Sequence, residues 1–287
     1  MGTFHYVNGA FVPEEKAYVS ALDLSVLRGY GVFDYVQVYQ GRAFHLQDHL
    51  ERLKWSAEQV ELSLPMGLAE LDQLVQQLLA KNPSIDAGVR LIVTGGPSGQ
   101  DQLLPDAGSH LILLFHPYTP PPEKYYTHGM KAVTTNLLRI IPSVKTTNYM
   151  PAIFAMNKAK QRGFDDAIYL SDRQELLEGT ISNVFFFKDG KIITSDSNSI
   201  VKGVTRSILL RLAEPHFPIE YRSLPLSEVS SCQEAFLCSS RKEVAPLVQI
   251  DDIVIGTGKP GPSSAKLRSL FQDYVANYFA KTLQPVC

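Results

Sequence analysis

Four residues in this chain could do chemistry that their neighbours do not explain. Lys145 stands in PSVKTTNYM (residues 142–150), among small and neutral side chains, with no acidic residue between Arg139 and Asp165. Lysine normally keeps to charged, solvated faces. In a loop after an apolar strand it can instead point into a pocket, where burial disfavours the ammonium and leaves an amine able to attack a carbonyl. Glu178 precedes Gly179 and an apolar run in EGTISNVFFFKDG, where a carboxylate could hold a protonated ring nitrogen or simply end a solvated turn. In KGVTRSILLRLA, Thr205 stands at the start of a helical pattern. Unpaired N–H groups and the dipole bind phosphate there, although plain N-capping by Thr205 explains the same residue. Arg52, in DHLERL, lies on an otherwise apolar helical face and suits either an anionic group or a surface ion pair.

The elements that must position these residues follow from periodicity. FHYVNGAFV alternates apolar residues around Asn8-Gly9, a strong hairpin signal, and VFDYVQVYQGRAFHL repeats the pattern around Gln40-Gly41. LQDHLERLKWSAEQV and GLAELDQLVQQLLA read as helices, and GVRLIVTGG and SHLILLFHPY as strands joined by a long loop. Proline-rich PYTPPPEK reads as a linker. Beyond it come a strand in KAVTTNLLRI, the loop with Lys145, a helix in MPAIFAMNKAKQRG and strands in DDAIYL, NVFFFKDGKIITS and EAFLCSS. SILLRLAEPH and SSAKLRSLFQDYVANYFAK read as helices. Strands and helices mix without strict alternation, which predicts an α+β fold. The expected division is a small N-terminal α/β domain (1–117), a Pro-rich linker (118–124) and a larger C-terminal domain (125–287) carrying Lys145.

Composition narrows the function. The chain is 45% hydrophobic and 20% charged with a net charge of −2, so no broad basic field exists to attract nucleic acid or an acidic membrane. Cys232, Cys238 and Cys287 lack CxxC spacing, so neither a metal site nor a disulfide framework is expected, and a reducing cytoplasm fits. No apolar run reaches the roughly 18 residues of a membrane helix, and MGTFHYVNGAF is not expected to be a signal peptide.

The order H-L-x-R-L, V-K-x-x-N-Y, E-G-x-x-S-N-V-F, G-V-T-R, then a strand ending Ser239-Ser240 before E-V-A-P-L, resembles the class IV aminotransferases, pyridoxal phosphate enzymes of fold type IV. The likeness runs from Asn8-Gly9 to Ile250-Asp251. It implies pyridoxal 5′-phosphate (PLP) as cofactor and Lys145 as the Schiff-base lysine, which also carries the proton between Cα and C4′. It implies that Glu178 pairs with the pyridine nitrogen, keeping the ring an electron acceptor, and that Asn183 supports Glu178. Arg52, the backbone at Val204 and Thr205, and Ser240 would hold the phosphate. Tyr149 would meet the ring's phenolic oxygen.

For the substrate, LSVLRGYGVFDY resembles a less common subgroup of D-amino acid transaminases in which an arginine, here Arg28, takes the α-carboxylate; an ion pair with Asp23 or Asp34 is the structural alternative. Arg241 is a second candidate. Phe33, Tyr35 and Gln37 share a strand face expected to line the pocket, and Tyr30 could contribute. The resemblance further implies a homodimer, the loop of residues 95–108 reaching the partner's site. D-alanine or D-glutamate is the favoured donor. A branched-chain L-amino acid transaminase is the runner-up, suggested by Val32, Phe33 and Val36. An aminodeoxychorismate lyase comes third, and a silent binding or scaffold protein is the non-enzymatic alternative.

Overall fold

Two sheets, each with its own apolar core, account for most of the molecule. The computed structural model describes residues 2–281 other than 85, 101, 102 and 107. Its contacts divide the chain into two units, Met1–Thr119 with Val144–Tyr149 and Pro120–Ser143 with Met150–Cys287.

In the first unit β1 (Phe4–Val7) and β2 (Ala10–Pro13) form the Asn8-Gly9 hairpin, with φ of 40° and 102° at the turn. There follow α1 (Leu24–Arg28), β3 (Gly31–Tyr39), β4 (Arg42–Ala43), α2 (Leu46–Gln59), α3 (Leu68–Lys81), β5 (Ala87–Thr94) and β6 (His110–Pro117). The strands form an antiparallel sheet in the order β2-β1-β6-β5-β3-β4. Alternation along β3 decides what each face does. Val32, Val36 and Val38 are fully buried, in one cluster with Leu50 and Leu53 of α2 and Leu71, Val75 and Leu78 of α3. Each such side chain contributes roughly 1.5–3 kcal/mol. Phe33 and Tyr35 point the other way and are half-buried.

The second unit contains α4 (Lys124–Thr127), β7 (Met130–Thr135), α5 (Met150–Gln161), β8 (Asp166–Leu170), β9 (Glu175–Gly179), β10 (Asn183–Lys188), β11 (Lys191–Thr194), α6 (Val204–Ala213), β12 (Ile219–Tyr221), β13 (Leu224–Pro225), β14 (Glu234–Ser239), β15 (Glu243–Ile250), β16 (Ile253–Val254) and α7 (Pro262–Lys281). Strands β10-β14-β15-β7-β8-β9 are neighbours in that order, and β9 pairs back onto β10 through Glu178 and Asn183. The sheet therefore closes into a barrel. Val184, Phe186, Leu237, Leu247, Ile168 and Leu176, drawn from around the ring, form one buried cluster.

Three sequence expectations need correction. The sequence pattern puts Lys145 in the C-terminal domain, but residues 144–149 pack with the first unit, because they hydrogen-bond along β3 and Val144 is fully buried in its core. Strand β15 forms from EVAPLVQI, to which the sequence pattern assigns no strand. Pro246, which cannot donate to a ladder, stands in its middle opposite Phe236. Thr205 is not a cap: Gly203 is the N-cap of α6 and Val204 its first residue.

Among the described residues no helix is long and apolar enough to cross a membrane, and no group of three or more His, Cys, Asp or Glu residues could hold a metal. Cys287 lies outside the described residues, as do positions 101, 102 and 107 of the 95–108 loop.

Candidate active site

In the first unit the lysine's backbone is fixed before its side chain is aimed. Phe33 N–H donates to Lys145 O at 2.9 Å, Thr147 N–H donates to Gly31 O at 2.9 Å, and Val32 bridges Thr146. Gly31 permits this approach, since a Cβ there would lie 2.9 Å from Val93 O and 3.1 Å from Thr147 Oγ1. The half-buried Lys145 places its amine 4.5 Å from the centroid of the Phe33 ring. Tyr149 meets the same ring edge-on at 5.3 Å. Arg90, which sequence reasoning missed, sits 5.5 Å from that ring. It pairs in register with Tyr35, and directly opposed residues share a face, which puts a guanidinium on the Phe33 side of the sheet.

Beneath β3, Arg52 of α2 donates from Nε to Asp34 Oδ2 and from Nη2 to Asp34 Oδ1, both at 2.8 Å. His49 Nδ1 lies 2.7 Å from Asp34 Oδ1. Asp34 is fully buried. Burial alone would raise its carboxyl, but the Arg52 and His49 charges and hydrogen bonds outweigh that and hold it below the ordinary carboxylate range. Burial is also the main cause of the lowered His49 pKa. Arg52 thus forms a buried bidentate pair rather than a helix-surface one. Asp34 was visible in the sequence as an acid in phase with Val32, Val36 and Val38.

Other expected contacts resolve differently. Tyr30 donates its hydroxyl to Val60 O at 2.7 Å and its ring packs on the core. Its ring also lies where a Cβ on Gly95 would be, 2.5 Å away. The Tyr35 hydroxyl lies 3.4 Å from Gln37 Oε1, and its ring covers Gly88. Exposed Arg28 ends α1 and donates to Leu27 O at 3.0 Å. Among the described residues neither Asp23 nor Asp34 pairs with it. Asp23 accepts from Ser25 N–H and Thr94 Oγ1, while Asp34 is occupied by Arg52 and His49.

The second unit fixes a carboxylate. Glu178, 4% exposed at the end of β9, accepts from Asn183 Nδ2 at 3.2 Å and from Val201 N–H at 3.2 and 3.3 Å. Arg139, also missed, donates from Nη2 to Glu178 Oε1. Asn183 donates in addition to Val201 O at 2.8 Å. A Cβ on Gly203 would come 2.4 Å from Asn183 Oδ1, so only glycine fits before α6. That helix has no side-chain cap among the described residues; Val204 and buried Thr205 open it. Half-buried Ser240 lies between β14 and β15, and Arg241 beside it is exposed. Cys238 is no nucleophile, since burial pushes its thiol up to about 12.

The family model of class IV amino-transferases matches residues 31–250. The chain belongs to the class IV aminotransferases. A Methanocaldococcus jannaschii protein assigned as a branched-chain-amino-acid aminotransferase is 32% identical over 275 residues, covering 93% of this chain and 95% of the relative. A D-alanine aminotransferase of Staphylococcus epidermidis is 29% identical over 278 residues, covering 95% and 98%. Among solved structures, a branched-chain amino acid aminotransferase of Escherichia coli superposes with a TM-score of 0.89 at 23% identity, covering 95% of this chain and 94% of that one. This aminotransferase therefore has the mixed α and β fold of type IV, and it is a PLP-dependent transaminase acting on amino and 2-oxo acids. Each unit, taken by itself, holds groups of the kind PLP chemistry uses: an amine in the first, and in the second a buried carboxylate held by Asn183 and a helix start with no side-chain cap among the described residues.

Proposed function

We propose that this aminotransferase acts on D-amino acids, with D-alanine or D-glutamate as donor and pyruvate or 2-oxoglutarate as acceptor. The observation that carries the reading is which way β3 turns its side chains. Val32 and Val36, two of the three apolar residues that suggested a branched-chain pocket, are fully buried in the core. The face with Phe33, Tyr35 and Lys145 carries Arg90 instead, a guanidinium suited to a carboxylate. Arg28, with no acid partner among the described residues, is the second candidate for that carboxylate. A panel of D- and L-amino acid half-reactions, followed by loss of cofactor colour, tests the assignment. Exclusive turnover of L-leucine or L-isoleucine overturns it, and release of pyruvate from aminodeoxychorismate without an amino acceptor selects the lyase.

Bound PLP supplies an aldehyde and an electron-accepting ring. Lys145 supplies the amine that holds the cofactor and moves the proton at the substrate's Cα. Glu178 keeps a negative charge at the ring nitrogen, and Asn183 and Val201 N–H hold Glu178 in place. Arg52, the backbone at Val204 and Thr205, and Ser240 bind the phosphate. Tyr149 donates to the phenolic oxygen. A homodimer is part of the reading. Ile140, Met150, Ile153 and Phe154 of the second unit are 83%, 63%, 59% and 55% exposed, apolar side chains that a partner subunit could cover. Two buried free thiols, Cys232 and Cys238, fit a cytoplasmic setting.

A further inference from the structure

Two buried charges remain outside these roles. Asp166 begins β8 and is 1% exposed; Lys242 lies between β14 and β15 and is 7% exposed. Lys242 Nζ donates to Asp166 Oδ2 at 2.6 Å. Asp166 Oδ1 accepts from Thr180 Oγ1 at 2.6 Å and from Ala167 N–H at 2.8 Å, while Oδ2 also accepts from Ser182 Oγ at 3.3 Å. One carboxylate thus gathers donors from its own strand, from the turn at 179–182 and from the turn at 239–242. Two ions cost a great deal to desolvate, and an apolar pair of similar volume would usually stabilise a barrel at least as well. Burial would raise the Asp166 carboxyl, but the ammonium beside it and the hydroxyl and amide donors lower it.

Both turns matter to the site. The first is the short connection between Glu178 and Asn183, the two residues that close the barrel. It is tight: Gly179 N–H donates to Ser182 O at 2.7 Å, and a Cβ on Gly179 would meet Ser182 Oγ at 2.5 Å. The second carries Ser240. Lys242 is fixed there by its own backbone, its N–H donating to Ser239 Oγ at 3.2 Å and its carbonyl accepting from Tyr126 at 3.1 Å.

We propose that Lys242 and Asp166 are positioning residues that set the spacing between two cofactor anchors, the Glu178–Asn183 edge and the Ser240 turn. The proposal rests on the roles given above to Glu178 and Ser240. A pair that served stability alone would change the melting of apoprotein and holoenzyme equally and leave cofactor affinity untouched.

The experiment is titration of the apoprotein with PLP in three variants, with melting temperatures measured with and without cofactor. Lys242→Met and the doubly neutral Asp166→Asn/Lys242→Met are expected to raise the PLP dissociation constant about tenfold or more, the equivalent of one poorly placed charged contact. Thr180→Val keeps the ion pair and removes one hydroxyl bond, so it serves if the others fail to fold; about a threefold rise is expected. All three variants are expected to narrow the gap between holoenzyme and apoprotein melting. A dissociation constant within twofold of wild type in the variants that fold overturns the proposal. Glu178→Gln, measured alongside, separates the two failures. If it loses turnover while the Asp166 and Lys242 variants keep full affinity, the positioning role alone is wrong. If it keeps full turnover, the Glu178 assignment falls, and this inference with it.

Discussion

Each unit buries an aspartate and secures it in a different way. In the first, Asp34 receives a guanidinium fork from Arg52 at two 2.8 Å bonds, with His49 alongside. In the second, Asp166 receives the single ammonium of Lys242 together with hydroxyl and backbone donors. The fork is planar and fixes the orientation of the cation that it binds, whereas an ammonium is a point charge that can sit among donors from several directions. Asp34 therefore aims a residue, and Asp166 gathers loops. The same acid, equally buried, serves a side chain in one unit and a backbone in the other.

Variants in both units, and pH, would break or sharpen that contrast. Lys145→Ala has the largest expected effect, a loss of turnover of about 10⁴-fold or more, as expected for removal of the proton carrier and nucleophile. Melting of the apoprotein should hardly change, because the strip is fixed by backbone bonds at Lys145 O and Thr147 N. Retained half-reactions would remove the lysine from the mechanism. Glu178→Gln is expected to cost about 10²-fold in turnover. It also leaves the buried Arg139 guanidinium without its countercharge, a loss of about 3 kcal/mol by urea unfolding. Glu178→Gln/Arg139→Met should recover the stability and not the turnover.

Arg52→Met comes next, with about 2 kcal/mol of stability lost because Asp34 keeps one partner, His49. Removing the guanidinium also removes a charge that disfavours protonated His49, so the His49 pKa rises in the variant. A histidine that is less depressed than in wild type loses less stability as pH falls through its unfolded value near 6.5. The deficit against wild type should therefore be smaller at pH 6 than at pH 8, as measured by urea midpoints. The smallest effect concerns wild type, whose His49 is lowered by burial. The unfolded chain then binds the proton more readily, and stability falls as pH drops through about 6.5, by at most about 1.4 kcal/mol per pH unit. His49→Gln should flatten this slope. Asp34 and Asp166, both lowered, add their own losses only below about pH 4. Amide exchange in β3 should accordingly accelerate at a higher pH than exchange in β8.

The sequence made hairpins and helices legible wherever turn chemistry and period agreed. Asn8-Gly9, Gln40-Gly41 and Asp189-Gly190 all occur at positive φ in turns, as their residue types demand. It hid β15, because Pro246 breaks a strand pattern that the barrel accommodates. At the site, Lys145, Glu178 and Asn183 stood out through motif order. Their supports did not: Arg90, Arg139, Asp166 and Lys242 depend on which strands become neighbours, and no local period encodes that. Tyr30 shows the same limit, since a tyrosine beside a suggestive arginine gives no sign that its hydroxyl will close onto Val60 O thirty residues away.

The strip from Val144 to Tyr149 bears on how the chain is made. The first unit's core contains Val144, and Phe33 N–H and Gly31 O find hydrogen-bond partners in that strip. A nascent chain that has emerged as far as Thr119 must wait for thirty more residues before this edge is covered, and meanwhile it presents open hydrogen-bonding groups to other chains. Splitting the gene at the proline-rich stretch would preserve that exposed state permanently, so a fragment for biophysical work should carry the strip with it.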